Sequence, residues 1–216
     1  MSAERSTTAV EPTLAARSTK LTVKGAKRAQ QILDIAETLF HRQGYAQTSM
    51  EDIATASGLL KGSLYHYVSS KEDLLYMVVN DVHEVSRRQL DDARAREDLS
   101  VGERLLYFVD SQVRYNAAHV TRVAVYHHEW HRLEGARHLE VKERRKEYDR
   151  NLIDLIEEAA ASGEITLKGD SRAVMMSVLA VICWPYTWYR QDALSPDALA
   201  DVCVDFVRHA LRVVTP

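Results

Sequence analysis

Two cysteines, four prolines and eight glycines in 216 residues are few, and each scarcity closes a route. With only Cys183 and Cys203, and no CxxC pair, the chain has no basis for a disulfide framework or a structural zinc site. Sparse glycine and proline, beside plentiful Ala, Leu, Val, Glu and Arg, predict an all-α fold. The most apolar stretch, Ala173 to Trp184, is shorter than a bilayer crossing and runs into Pro185, so no membrane partner is expected. Residues 1–23 lack the apolar core of a secretory signal, which predicts a cytoplasmic protein. No nucleophile elbow, glycine-rich phosphate loop, paired carboxylates or zinc tetrad occurs, so no catalytic residue, metal or cofactor is assigned and an enzyme is not expected. The net charge of −3 gives no lead on partners, but its distribution is uneven. Residues 1–29 hold six basic side chains against Glu4 and Glu11. The segment 1–23 reads as a flexible basic tail, either lying along a nucleic-acid backbone or simply solvated.

What is present is concentrated between Thr48 and Lys71, TSMEDIATASGLLKGSLYHYVSSK. Thr48 reads as an N-cap, with Glu51 three residues on completing a capping box. Ile53 and Ala54 point inward, Gly58 marks a sharp turn, and Leu64 and Tyr67 supply the inner face of a second short helix. Two helices crossing closely at a glycine turn form a helix-turn-helix, whose second helix enters the DNA major groove. Lys61, Gly62, Ser63, Tyr65 and His66 remain on the outside. Ser69 and Ser70 with Glu72 and Asp73 open a third helix, and Lys71 in its first turn opposes the helix dipole, so a phosphate partner would explain it.

Residues 24–75 resemble the DNA-binding domain of the TetR family of transcriptional repressors, through ILDIAETLFHRQGYAQTSMEDIA and ASGLLKGSLYHYVSSKEDLL. The resemblance implies that Thr48 and Lys71 hold phosphates while Lys61, Gly62, Ser63, Tyr65 and His66 face the groove, with Ser49 also counted among the DNA-binding residues. Val68 stands where the family usually has phenylalanine, which thins a core contact. The fold then implied is an N-terminal three-helix head (24–70) followed by a helical ligand-binding and dimerisation domain (71–216), about nine helices in all.

Beyond the head, apolar periodicity predicts helices near 71–96, 101–117, 119–133, 137–162, 170–190 and 196–213, after a first helix over 26–43. The segment from Ala173 is apolar on nearly every side, which in a small helical domain calls for a second subunit. Leu199, Val202, Cys203, Phe206, Val207, Ala210 and Leu211 form a stripe suited to the same contact. Together these predict a four-helix homodimer seam, placing two heads about 34 Å apart on a palindromic operator.

The ligand region is less sharply drawn. Tyr148 leads an inner stripe with Leu152, Leu155 and Ile156, and extending it back reaches Arg145, whose partner is Glu129, Glu134 or an effector's head group. Tyr126 and Trp130 share a face of the preceding helix. Trp184 and Trp188, with Tyr186, Tyr189 and Arg190, read either as core or as a pocket wall, and Pro185 among them frees a carbonyl, a feature found beside cavities. With Tyr107 and Ser111 these suggest a site for a mostly apolar small molecule with a polar head. HHEWHRLEG and WYRQDALSPDALAD resemble TetR-type repressors of fatty-acid and steroid-ring degradation, which implies an acyl-coenzyme A effector. By that resemblance Trp188, Tyr189, Arg190 and Arg145 surround the acyl chain or contact the coenzyme; the basic run Lys142, Arg144, Arg145 and Lys146 either meets its phosphates or, for Lys142 and Lys146, is a solvated charged face. His127 and His131 have chelate spacing, but HHEWH is not HExxH, so no metal ligand is assigned. The alternative to a repressor is an all-α enzyme or metal-binding protein carrying a helix-turn-helix head.

Overall fold

A computed structural model describes residues 23–214; nearly all of the basic tail expected over 1–23 lies outside the described residues. Among the described residues there are nine α-helices, two 3-10 turns and no strand. They are α1 (Val23–Gln43), α2 (Met50–Ala56), α3 (Lys61–Leu64), α4 (Lys71–Arg94), α5 (Val101–Ala118), α6 (Val120–Glu129), α7 (Gly135–Ala161), α8 (Ser171–Cys183) and α9 (Pro196–Leu211). The 3-10 turns, Trp130–Arg132 and Trp184–Thr187, follow α6 and α8. No described helix is long and apolar enough to cross a membrane.

Two apolar cores organise these helices. The first gathers Ile32, Ala36 and Phe40 of α1, Ile53 and Ala54 of α2, Leu64 of α3, and Leu74 through Val82 of α4. It also takes Val125 and Tyr126 of α6 and Val141 of α7, so the head does not pack alone. Val68, with 1% exposure, fills its place in this core. The second core joins the far half of α4 to α5, α7, α8 and α9 around Phe108, Leu152, Leu155, Ile156 and Met175. The long α4 belongs to both.

Local chemistry sets the head's boundaries, with one shift from expectation. Ser49, not Thr48, caps α2: its Oγ accepts from the Asp52 amide at 3.1 Å, and the Asp52 carboxylate accepts from the Ser49 amide at 2.8 Å. The box is therefore Ser49–Asp52 instead of Thr48–Glu51, because the Thr48 hydroxyl donates back to the Gly44 carbonyl at 2.9 Å. Gly58 carries φ +65°, the left-handed conformation that a turn between α2 and α3 requires. The second helix is short, and Tyr65 and His66 follow it in a turn.

The last two helices each divide into an inner and an outer face. On α8, Met175, Val178 and Ile182 are buried while Met176 is 54% exposed. On α9, Leu199, Cys203, Val207 and Leu211 pack within the chain, whereas Val202 and Phe206 are left exposed. The stripe read on α9 as a single contact thus divides, one part packing within the chain and Val202 and Phe206 facing outward, since a helix this amphipathic turns only one face to α5.

Candidate nucleic-acid interface and ligand cavity

On the head, Ser49, Lys61, Gly62, Tyr65 and His66 are exposed and Ser63 partly so. Lys61 keeps its ammonium 3.8 Å from the Glu51 carboxylate, a loose surface pair that leaves the cation available. Thr48 and Lys71 stand differently. Thr48 has 0% exposure, and its hydroxyl is occupied internally. The Lys71 ammonium donates to the Tyr45 and Thr48 carbonyls at 2.8 and 2.7 Å and lies 4.2 Å over the Tyr45 ring. Two carbonyls thus compensate its place at a helix N-terminus, and no phosphate is needed to explain it.

Below the head, α4, α5, α6, α7 and α8 enclose a cavity of about 70 Å³ lined by residues including His83, Gln112, Tyr126, Arg145, Tyr148 and Cys183. Arg145 is its main cation. The guanidinium donates to the Tyr126 hydroxyl at 2.6 Å and lies 4.7 Å from the Trp130 ring centre. Neither Glu129 nor Glu134 meets it. Glu129 accepts from the Tyr45 amide at 3.1 Å and pairs with Arg132 at 3.7 Å, which draws it toward the head. Glu134 is exposed at the start of α7. Among the described residues no carboxylate lies within 4.0 Å of Arg145. Asp149, which also lines the cavity, has its carboxyl raised by burial, partly offset by Arg145.

Burial dominates the rest of the lining. It depresses His127 to about 4 and pushes the Cys183 thiol up to about 12, while His83 moves down and the Tyr148 phenol well up. At neutral pH the imidazoles and the thiol are therefore uncharged.

Of the residues expected from sequence, Tyr126, Arg145 and Tyr148 line this cavity and Trp130 backs it. The others do not. Tyr107 is 37% exposed with Arg96 stacked on it at 4.8 Å, and the Ser111 hydroxyl donates to the Phe108 carbonyl at 3.0 Å. Trp184 and Trp188, neither core nor pocket wall, are 62% and 56% exposed. The cause is the switch to 3-10 winding at Trp184, which turns Pro185 and Tyr189 inward and both indoles outward. Tyr189 is buried and donates its hydroxyl to the Leu194 carbonyl. Arg190 is exposed and paired with Asp192. In the basic run, Arg144 pairs with Glu140 and Lys146 with Glu143 on the surface.

Sequence reading did not assign His83, Gln112, Asn116, His127 or Cys183 to the ligand site, though they line the cavity. Gln112 and Asn116 carried a usable signal, because they fall in register with Leu105, Phe108 and Val109 on the inward face of α5. Pro185 had pointed to a freed carbonyl. Two carbonyls near it find side-chain partners, Ile182 from Asn116 Nδ2 at 3.0 Å and Val181 from the Cys203 thiol at 3.9 Å.

The cavity and the head share a wall. Tyr126 lines the one and belongs to the core of the other. On the same helix, Arg122 reaches Glu37 at 2.7 Å, Asp34 at 3.4 Å and Asp81 at 3.6 Å, tying α6 to α1 and α4.

Comparison with known proteins agrees with this geometry. A profile described as "Bacterial regulatory proteins, tetR family" matches residues 32–76, and "Tetracyclin repressor-like, C-terminal domain" matches 98–211, just over half of the chain. The HTH-type transcriptional repressor KstR2 of Mycolicibacterium smegmatis is 28% identical over 170 residues, 76% of this chain and 80% of that one. KstR2 of Rhodococcus jostii is 46% identical over 65 residues, 30% of this chain and 28% of its own. Among solved structures, the TetR-family regulator PfmR of Thermus thermophilus superposes with TM-score 0.74 and 25% identity, covering 86% of this chain and 99% of that one. AibR in complex with isovaleryl coenzyme A and operator DNA gives TM-score 0.73 and 27% identity, covering 83% and 97%. The chain belongs to the TetR family of transcriptional regulators.

Proposed function

We propose that this chain is a cytoplasmic repressor that binds a palindromic operator as a homodimer and is released by a small, largely apolar effector with a polar head, an acyl-coenzyme A thioester. Ser49, Lys61, Gly62, Ser63, Tyr65 and His66 form the DNA-facing surface. The observation that carries the effector reading is Arg145, a cation inside a mostly apolar cavity with the Tyr126 phenol and the Trp130 ring for company and no carboxylate in contact. A guanidinium in such a place favours an oxygen acceptor supplied by a ligand. Asp149 in the same lining disfavours a second carboxylate, so a thioester carbonyl suits the site better than a free acid. The likeness to AibR, solved with isovaleryl coenzyme A, supports the same class.

Linkage supplies the mechanism. A cavity of about 70 Å³ admits only a few waters, so an acyl chain enters by parting the walls. One wall is α6, which also holds the head through Arg122 and Glu129. A ligand that binds best when α6 has moved binds the non-operator arrangement best, and that difference is what releases DNA.

The test is fluorescence anisotropy on an inverted-repeat duplex selected from random sequence. Affinity should fall steeply as salt rises, and Tyr65→Ala should weaken it without affecting thioester binding. Arg145→Ala should raise the thioester concentration for half-release by about tenfold or more, the loss expected for a charge-assisted hydrogen bond. Unchanged release with a lower melting temperature would assign Arg145 to structure and sink the effector reading.

A further inference from the structure

A second polar group in the cavity constrains the ligand further, provided the effector reading above holds. Gln112 on α5 is 3% exposed and lines the cavity, yet its Oε1 accepts no hydrogen bond among the described residues. Its orientation is dictated by a chain of partners. The Ile182 carbonyl can only accept, so Asn116 presents Nδ2 to it, at 3.0 Å. That turns Asn116 Oδ1 toward Gln112, which answers with Nε2, also at 3.0 Å. Flipping either amide would set like groups against each other, so the end left over is the Gln112 oxygen. Pro185, three residues after Ile182, has no backbone N–H to offer that carbonyl in the 3-10 turn. A buried acceptor without a donor is costly, and the cost is recovered when a donor arrives.

We infer that Gln112 Oε1 receives a hydroxyl carried by the effector, so that the cavity selects hydroxylated acyl groups over unsubstituted ones. Arg145 from α7 supplies donors to the head carbonyl and Gln112 from α5 supplies an acceptor to the hydroxyl; the apolar lining between them takes the carbon skeleton. A site built around an unmet polar atom discriminates more sharply than an apolar pocket, because the analogue lacking the group leaves that atom buried and unpaired.

The experiment measures binding of three matched sets of medium-length coenzyme A thioesters by calorimetry: unsubstituted, each monohydroxylated isomer, and the corresponding fluorinated isomers. Fluorine is close to hydroxyl in size but brings no donor. At least one hydroxylated isomer should bind about tenfold tighter than the unsubstituted thioester. Its fluorinated counterpart should lose that gain, and Gln112→Met should erase the preference for the hydroxylated isomer over its fluorinated counterpart. Equal binding of hydroxylated and unsubstituted members would overturn the inference alone, since solvent then satisfies the oxygen. Fluorine matching hydroxyl would overturn it too, a comparison that needs no variant to fold. If no thioester of any set binds, the effector class falls and the inference falls with it.

Discussion

His127 shows how a single side chain joins ligand chemistry to stability. Burial first, then the neighbouring Arg145 and His128, hold its imidazole down to about 4 against an ordinary 6.5. As pH falls below 6.5 the unfolded chain takes up this proton while the folded chain refuses it, so stability that is full above 6.5 drains away toward pH 4. After discounting for partial solvent contact, His127 accounts for about 2 kcal/mol of that acid loss. His127→Gln should flatten the pH dependence of urea unfolding between about pH 6.5 and about pH 4.5 by this amount, and an unchanged slope would mean the ring is already solvated. Lys71 is the converse case. Its position was legible in the sequence, but its role was not, because nothing in a one-dimensional reading brings the Tyr45 and Thr48 carbonyls to its ammonium. Lys71→Met should cost about 2 kcal/mol of stability without DNA present, as for loss of hydrogen bonds to a charged group. A loss confined to operator affinity, with the urea midpoint fixed, would restore the phosphate role.

At the scale of elements, periodicity and capping made most helices readable to within a few residues, since burial of a 3.6-residue stripe leaves a direct mark on the sequence. Where it fell short, the winding changed: α6 and α8 both give way to 3-10 turns, at Trp130 and Trp184, and the rotation moves every following side chain to another face. That is why the Trp184 and Trp188 indoles were read as core or pocket wall, and why Glu129 and Glu134, neither of which meets Arg145, were offered as its partners. Which helices share a wall is likewise invisible before folding, and α6 is the case that matters. It offers Tyr126 and His127 to the cavity and Arg122 to Glu37 on α1, a pair whose side chains are 17% and 14% exposed. Replacing both, Arg122→Met with Glu37→Met, avoids stranding one buried charge. Thioester affinity should stay within about twofold while release of operator weakens about tenfold, equivalent to roughly 1.4 kcal/mol of coupling. If release survives intact, the signal reaches the head by another helix, α4 being the alternative route.

Over the whole molecule, the unbalanced surface is the one made by α8, α9 and the turn between them. Met176, Trp184, Val202 and Phe206 are each more than half exposed, and a groove of about 220 Å³ runs between the two helices beside Phe206. Single apolar residues on a surface need no explanation, but a contiguous set on two neighbouring helices does. In the homodimer proposed above, a second copy of this chain would meet it with an identical face, and the two-fold axis would give each head a partner for the other half of a palindrome. Affinity would follow from such pairing: once one head is bound, the other searches at high effective concentration, so a dimer should gain about 100-fold over one head. Phe206→Glu sets two carboxylates against each other across that axis. Sedimentation should show a monomer that still binds thioester, holds a half-site duplex as before, and binds the full palindrome about 100-fold more weakly. The half-site control separates loss of pairing from damage to the head. A variant that stays dimeric would place the seam elsewhere and leave the exposed face of α8 and α9 for a different partner.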